Sequence, residues 1–156
     1  MIKIVRAEEK HIPGICNLWM EFMQFSQEFD PVFEPREGAV PVFGKEYLRP
    51  AMESDNSLVL VALDGEKVVG YSYSLIGELS KLEKRKQCGC VHDFFIAKDF
   101  RRRGIGEKMY TEILEWFHSR NIDRIELQVI AKNEAACSFW RKQGYDDFQH
   151  LWYRQI

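Results

Sequence analysis

Arg101-Arg102-Arg103-Gly104-Ile105-Gly106 stands between an apolar run with strand chemistry (Val91, Phe94, Phe95, Ile96) and an amphipathic stretch that starts at Glu107. A strand that turns through glycine into a helix is a way for main chain to build an anion site. The first helical turn leaves N–H groups unpaired, and the aligned peptide dipoles favour negative charge there. Gly104 and Gly106 carry no Cβ, so a phosphate can approach the backbone and unusual φ values cost little. The turn is expected to hold something phosphorylated. Two common phosphate loops fit poorly. A Walker loop wants a Lys-Ser/Thr pair after its second glycine, and Gly106 is followed by Glu107-Lys108-Met109. A dinucleotide fingerprint wants glycine or alanine where Met109 stands, and it comes early in its domain.

A second reactive group lies just upstream. His92 has the one side chain whose ordinary pKa, about 6.5, suits a base near neutrality. Asp93 follows it directly. Successive strand residues face opposite ways, so one member of this pair should face a cleft and the other should not. His92 is read as the titrating group and Asp93 as a structural or cation-recognising carboxylate. The alternative is a strand histidine that merely has its hydrogen bonds satisfied. Cys88, Cys90 and His92 alternate along one strand face as C-x-C-x-H. Zinc wants a fourth ligand and usually C-x-x-C spacing, so packing on a sheet face is the better reading and no metal is expected.

These side chains need a scaffold, and the rest of the chain supplies its pattern. Ile2 to Arg6 alternates as a strand. Ile12, Ile15, Cys16, Trp19, Phe22 and Met23 recur at helical spacing, with Pro13 suited to the first turn. Gln24 to Asn56 holds four of the five prolines, interleaved with Phe25, Phe29, Phe33, Phe43 and Tyr47 and the carboxylates Glu28, Asp30, Glu34 and Glu37. It predicts a short helix or two packed over a sheet: either a plain lid or a wall whose aromatics and carboxylates would suit a cation. SLVLVAL, Asp64-Gly65 and KVVGYSYSLI form a hairpin signal. Gly77 to Gln87 is a charged loop, and Cys88 to Ala97 is the strand that leads to the glycine turn. From Glu107 a helix turns Met109, Ile113, Trp116 and Phe117 inward, and Asn121 is a plausible left-handed terminator. Arg124 to Ile130 reads as another strand. Asn133 to Gln143 reads as a helix stopped by Gly144, and the residues to Arg154 as closing strands.

The order β-α-(irregular)-β-β-β-α-β-α-β predicts an α/β fold: a mixed sheet flanked by helices, in one domain spanning 1–156. With Arg101, Gly104 and Gly106 as Q/R-x-x-G-x-G/A, and the later Asn133-x-x-Ala136-x-x-Phe139, the chain resembles the GNAT superfamily of N-acetyltransferases. The resemblance covers Leu58 to Tyr145 well and the first strand and helix loosely. It implies acetyl-coenzyme A as acyl donor, with the pyrophosphate on Arg101, Arg102, Arg103, Gly104, Ile105 and Gly106. It also implies a bulged fourth strand that splays from the fifth, at Phe94-Phe95-Ile96 against Leu127 to Ile130. Unpaired groups at Phe95 and Ile96 would then bind pantetheine and polarise the thioester. Asn133, Ala136 and Trp140 would complete the cofactor groove, with Asn133 also the N-cap of its helix. Spermidine/spermine-type members carry Glu-Asp where His92-Asp93 stand, which makes His92 and Asp93 the catalytic candidates. The family's general acid is a tyrosine at the position of Trp140, and an indole N–H does not give up its proton. The implied reaction is direct acetyl transfer to a primary amine. The alternative is a coenzyme A-binding protein with weak or lost catalysis.

Composition narrows the partners. A net charge of -2 over 156 residues gives no case for nucleic acid or an anionic membrane. No apolar run has the length of a membrane span, Met1-Ile2-Lys3 leads into a strand, and four cysteines without a secretory signal suggest a reduced, cytoplasmic protein. Relatives in the superfamily often pair, and the aromatic tail (Phe148, Trp152, Tyr153) is a candidate surface for a homodimer.

Overall fold

The run SLVLVALD carries apolar residues at successive positions, so it can lie only where both sheet faces are covered. The computed structural model describes residues 1–156. In it this run is strand β2 (Ser57–Asp64), with Leu58 through Ala62 all buried. β1 (Ile2–Arg6) and β3 (Lys67–Glu78) flank it antiparallel. β4 (Gln87–Ile96) is antiparallel to β3, and β5 (Ile125–Leu127) is parallel to β4. The sheet order is β1-β2-β3-β4-β5, the mixed arrangement that the sequence predicts.

Helices cover both faces. On one side α1 (Ile12–Gln27) sets Ile15, Cys16 and Leu18 against Val59, Val61, Tyr71 and Phe95. The proline-rich segment joins the same core as a chain of short helices, α2 (Ala39–Val42), a π-helical stretch (Phe43–Leu48) and α3 (Arg49–Glu53), burying Phe43, Leu48 and Ala51. On the other side α4 (Ile105–Ser119) buries Ile105, Met109, Tyr110, Ile113, Trp116 and Phe117 against Leu58, Leu60 and Val91. α5 (Glu134–Lys142) adds Trp140 to that core. Gly65 (φ 62°) makes the hairpin turn and Asn121 (φ 57°) follows the end of α4, both as their residue types predict.

Two expectations fail at the β5 edge. The run Arg124 to Ile130 is strand only over Ile125–Leu127, because β4 moves away beyond Val91 and no strand lies on the other side. The closing strands expected up to Arg154 do not form, and no regular element follows α5.

Candidate active site

The site begins with an irregularity in β4. Tyr73 pairs with Asp93 and Ser74 pairs with Val91, so His92 is the extra residue of a bulge. A bulge reverses the alternation. Val91 packs into the α4 core, whereas Asp93 and Phe95 lie on the α1 side with Tyr71. His92 turns to that side as well, its ring 5.3 Å from that of Tyr73. The expectation that only one of His92 and Asp93 faces the cleft is therefore corrected, since both line a single cavity of about 290 Å³.

The pair is held together by hydrogen bonds. His92 Nδ1 lies 3.2 Å from Asp93 Oδ1, and Tyr71 Oη donates to Asp93 Oδ2 at 3.1 Å. A carboxylate can only accept, so Nδ1 carries the proton and Nε2 is left as the free acceptor. Asp93 is 7% exposed while the His92 side chain is 55% exposed, so a buried carboxylate aims an accessible imidazole. The hydrogen bond to Asp93 raises the His92 pKa above its ordinary value, and partial burial opposes that shift. Burial, then Asp93, holds the Tyr71 phenol well above its ordinary value, so it stays a donor.

The other walls are aromatic. Trp19, Phe43, Tyr47 and Tyr73 line the cavity, with Arg36, Ala39 and Val42. Trp19 stacks on Phe43 with centroids 4.8 Å apart. None of Glu28, Asp30, Glu34 and Glu37 lines this cavity. Its one carboxylate is Asp93, and Asp30 instead caps the turn at Val32. Trp19, Tyr71 and Tyr73 have no motif to mark them. The signal is in the strand pairing, because the bulge sets Tyr71 and Tyr73 beside the reactive pair.

Beyond the bulge the sheet opens. β4 and β5 pair only through Gly89–Val91 and Ile125–Leu127, so the break begins at His92, two residues before the expected Phe94-Phe95-Ile96. Ala97 N–H bonds Val69, so Phe94 and Ile96 turn their main-chain groups the other way, toward the side that β5 has left. Arg101 Nε donates to the Ile96 carbonyl at 2.9 Å, and its guanidinium lies over Phe25 and Phe95. Of the expected phosphate ligands, Arg101 is thus tied to the α1 side of the strand end.

The glycine turn is open. None of the main-chain N–H groups from Arg102 through Glu107 makes a hydrogen bond within the protein. Gly104 caps α4 at φ 75°, and a Cβ there meets nothing within 4 Å. Arg102 shares the left-handed region (φ 60°), and Arg103 lies over the Phe100 ring. Gly106 has a different reason: its Cβ would stand 3.3 Å from the Phe139 ring, so it lets α5 pack on the first turn of α4. Lys142 pairs with Glu107 at 2.6 Å, which offsets an acidic charge at this N-terminus. Successive N–H groups at the positive end of a helix dipole, with open space beside them, fit a diphosphate.

Asn133 is the N-cap of α5, its Oδ1 accepting from Ala136 N at 3.1 Å, while its side-chain NH₂ makes no bond in the protein. Ala136 packs against the α4 core. Trp140 is 8% exposed inside an aromatic cluster, edge-on to Phe94 (5.1 Å), Tyr110 (5.4 Å) and Tyr145 (5.5 Å). The expected groove residue is therefore a core residue. Tyr110 donates to Tyr145 at 2.8 Å. Cys88 and Cys90 thiols are raised by burial, and Cys88 lies 3.3 and 3.5 Å from the carbonyls of Gly89 and Arg124. No group of three or more His, Cys, Asp or Glu side chains comes together as a metal site.

This architecture and sequence have known counterparts. The chain is 35% identical over 100 residues to an uncharacterized N-acetyltransferase of Archaeoglobus fulgidus, covering 64% of this chain and 67% of that one. It is 28% identical over 112 residues to another from Methanocaldococcus jannaschii, covering 70% of this chain and 49% of that one, so it spans about half the length of that relative. Among solved structures, the aminoglycoside N-acetyltransferase AAC(6')-Iy in complex with the bisubstrate analog CoA-S-monomethyl-acetylneamine matches with a TM-score of 0.74 at 13% identity. That match covers 100% of this chain and 99% of the other, and the likeness is one of fold. The sequence model of the acetyltransferase (GNAT) family matches residues 13–145. That span takes in the bulge, the parted strands and the open glycine turn, and the chain belongs to the GNAT acetyltransferase family.

Proposed function

We propose that this protein transfers the acetyl group of acetyl-coenzyme A to a primary amine of a small molecule or peptide, by direct attack while both substrates are bound. The observation that carries this reading is the bulge. It sets His92, backed by Asp93, on the wall of an aromatic cavity at the point where β4 and β5 part. The acyl donor's diphosphate is assigned to the N–H groups of Arg102 through Glu107, with Arg102 and Arg103 supplying positive charge. Its pantetheine arm is assigned to the free edge of β4 at Phe94 and Ile96 and to the Asn133 amide. The amine enters from the aromatic side, where ring faces and the Asp93 carboxylate suit a cation.

An alkyl ammonium with a pKa of about 10.4 must lose a proton before it attacks, and His92 Nε2 accepts it directly or through water. The neutral nitrogen then bonds the acetyl carbon, the carbon–sulfur bond breaks, and the departing thiolate takes up the second nitrogen proton, leaving the amide and free thiol. A thiol pKa of about 8.5 lets that group depart without an acid. This matters because Trp140 takes the place of the family's tyrosine. The buried indole favours a second reading, a protein that binds the coenzyme and turns over weakly or not at all.

One experiment separates the two. The protein is titrated with coenzyme A by calorimetry, then assayed for free thiol over a panel of primary amines. Binding with amine-dependent thiol release supports transfer. Binding without release across the panel favours the second reading, and absence of binding removes both.

A further inference from the structure

The cavity at the bulge changes character from its deep end to its rim. Asp93 and Phe43 are buried at the deep end, Trp19 and Tyr73 are half-buried, and Tyr47 and Arg36 stand exposed at the rim. Its charges are as unevenly placed. Asp93 is the one carboxylate, and both its oxygens are engaged, Oδ1 by His92 and Oδ2 by Tyr71. Arg36 is the one permanent cation. Its guanidinium makes no ion pair, not even with Glu37 beside it, and it is not among the arginines that donate a side-chain hydrogen bond. The turn that presents it is set by main chain: Ala39 N–H donates to the Arg36 carbonyl at 3.1 Å, and Gly38 takes the left-handed φ of 75°. A cavity with a carboxylate at one end and an unpaired guanidinium at the other is complementary to a molecule of the opposite polarity.

We propose that the acceptor is an amine that also carries an anionic group, in its simplest form an amino acid with an apolar body. The amine meets His92 and Asp93, the body lies among the aromatic rings, and the carboxylate pairs with Arg36. A guanidinium is a planar fork of donors that matches a carboxylate with two parallel hydrogen bonds. A ligand that fills the cavity also displaces water from that pair, which strengthens it. The same inventory disfavours polyamines and aminoglycosides. Each further ammonium group needs a carboxylate, and Glu28, Asp30, Glu34 and Glu37 all lie outside this cavity. An ammonium at the rim would instead face the like charge of Arg36, which rejects the wrong ligand by repulsion. Size agrees with charge. A volume of about 290 Å³ stands at the small end of ligand pockets, which run from about 300 to 1,000 Å³, and suits an amino acid rather than an oligosaccharide. The inference rests on the acetyl-transfer reading for the fate of the amine, whereas the anion subsite at Arg36 does not depend on it.

Binding and turnover are measured separately. The full chain, with coenzyme A present, is titrated by calorimetry with L-leucine, L-phenylalanine and γ-aminobutyrate, each beside its carboxamide, and with spermidine. At least one acid is expected to bind about tenfold or more tightly than its amide, the scale of one charge-assisted pair. Arg36→Gln removes an exposed side chain that has no partner to lose, so the variant is expected to fold as the parent does and to bring that ratio near unity. Arg36→Lys is expected to restore part of it. The same panel with acetyl-coenzyme A, read as free thiol, is expected to give the same order in kcat/KM. Acids that do not bind, amides or spermidine that bind as well as the acids, or a ratio that Arg36→Gln leaves unmoved overturns the proposal, and thiol release from any of these amines then leaves acetyl transfer standing. Acids that bind through Arg36 without releasing thiol support the anion subsite and remove the transfer instead.

Discussion

His92 owes its place to being the unpaired residue of the β4 bulge, and its chemistry to the carboxylate beside it. The hydrogen bond that His92 donates to Asp93 stabilises the imidazolium, so the folded pKa lies above the ordinary value of about 6.5. In the proposed mechanism the working base is the neutral ring, which is gained as pH rises through that raised value. On the acid side kcat/KM is therefore expected to climb with a midpoint above about 6.5. Asp93→Asn moves that midpoint down, and His92→Gln abolishes the limb and lowers kcat by about 10²–10⁴-fold while leaving coenzyme A affinity intact. A pH–rate series on the three proteins checks this, and a limb that neither substitution moves assigns the proton to another group. The same shift has a stability sign. The His92–Asp93 attraction stabilises the fold fully below about pH 6.5 and is lost as pH rises through the folded pKa. The contribution is small, because the ring is more than half exposed. Trp140 invites the opposite expectation. Buried among Phe94, Tyr110, Phe139 and Tyr145, it acts through packing. Trp140→Ala is expected to cost about 3–5 kcal/mol in urea unfolding. Trp140→Phe should keep turnover, and a collapse of kcat in that variant would give the indole a chemical role.

At the scale of elements, the first strand, the α1 stripe, the Asp64-Gly65 hairpin and the glycine turn are legible because each is set by neighbours in sequence: alternation, helical period, turn chemistry. What is not legible is what one extra residue does to a strand. Alternation puts His92 and Asp93 on opposite faces, and the bulge undoes that parity, which also brings Tyr71 and Tyr73 to the site. The two glycines of the turn look equivalent in a motif and differ in the fold. Gly104 is needed for its φ of 75° and has open space around it, so Gly104→Ala should cost about 1–2 kcal/mol of backbone strain. Gly106 is needed for the contact with Phe139. Gly106→Leu drives a side chain into that ring and tilts the first turn of α4, and the expected loss of coenzyme A affinity is about tenfold or more, equivalent to about 1.4 kcal/mol. Isothermal titration of the two variants checks the ordering, since a Gly106→Leu protein with parental affinity would separate the turn from cofactor binding.

For the whole molecule, coenzyme A binding under the proposed function is read as a shift in thermal unfolding. A ligand at 100 times its Kd adds about 2.7 kcal/mol per site whatever the oligomeric state. For a chain of this length that raises Tm by roughly 5–11 °C, with the N–H groups of the glycine turn as the proposed diphosphate ligands. Gly106→Leu at the same coenzyme A concentration, with an affinity about tenfold weaker, is expected to show roughly half that shift, and an undiminished shift would place the coenzyme away from the turn.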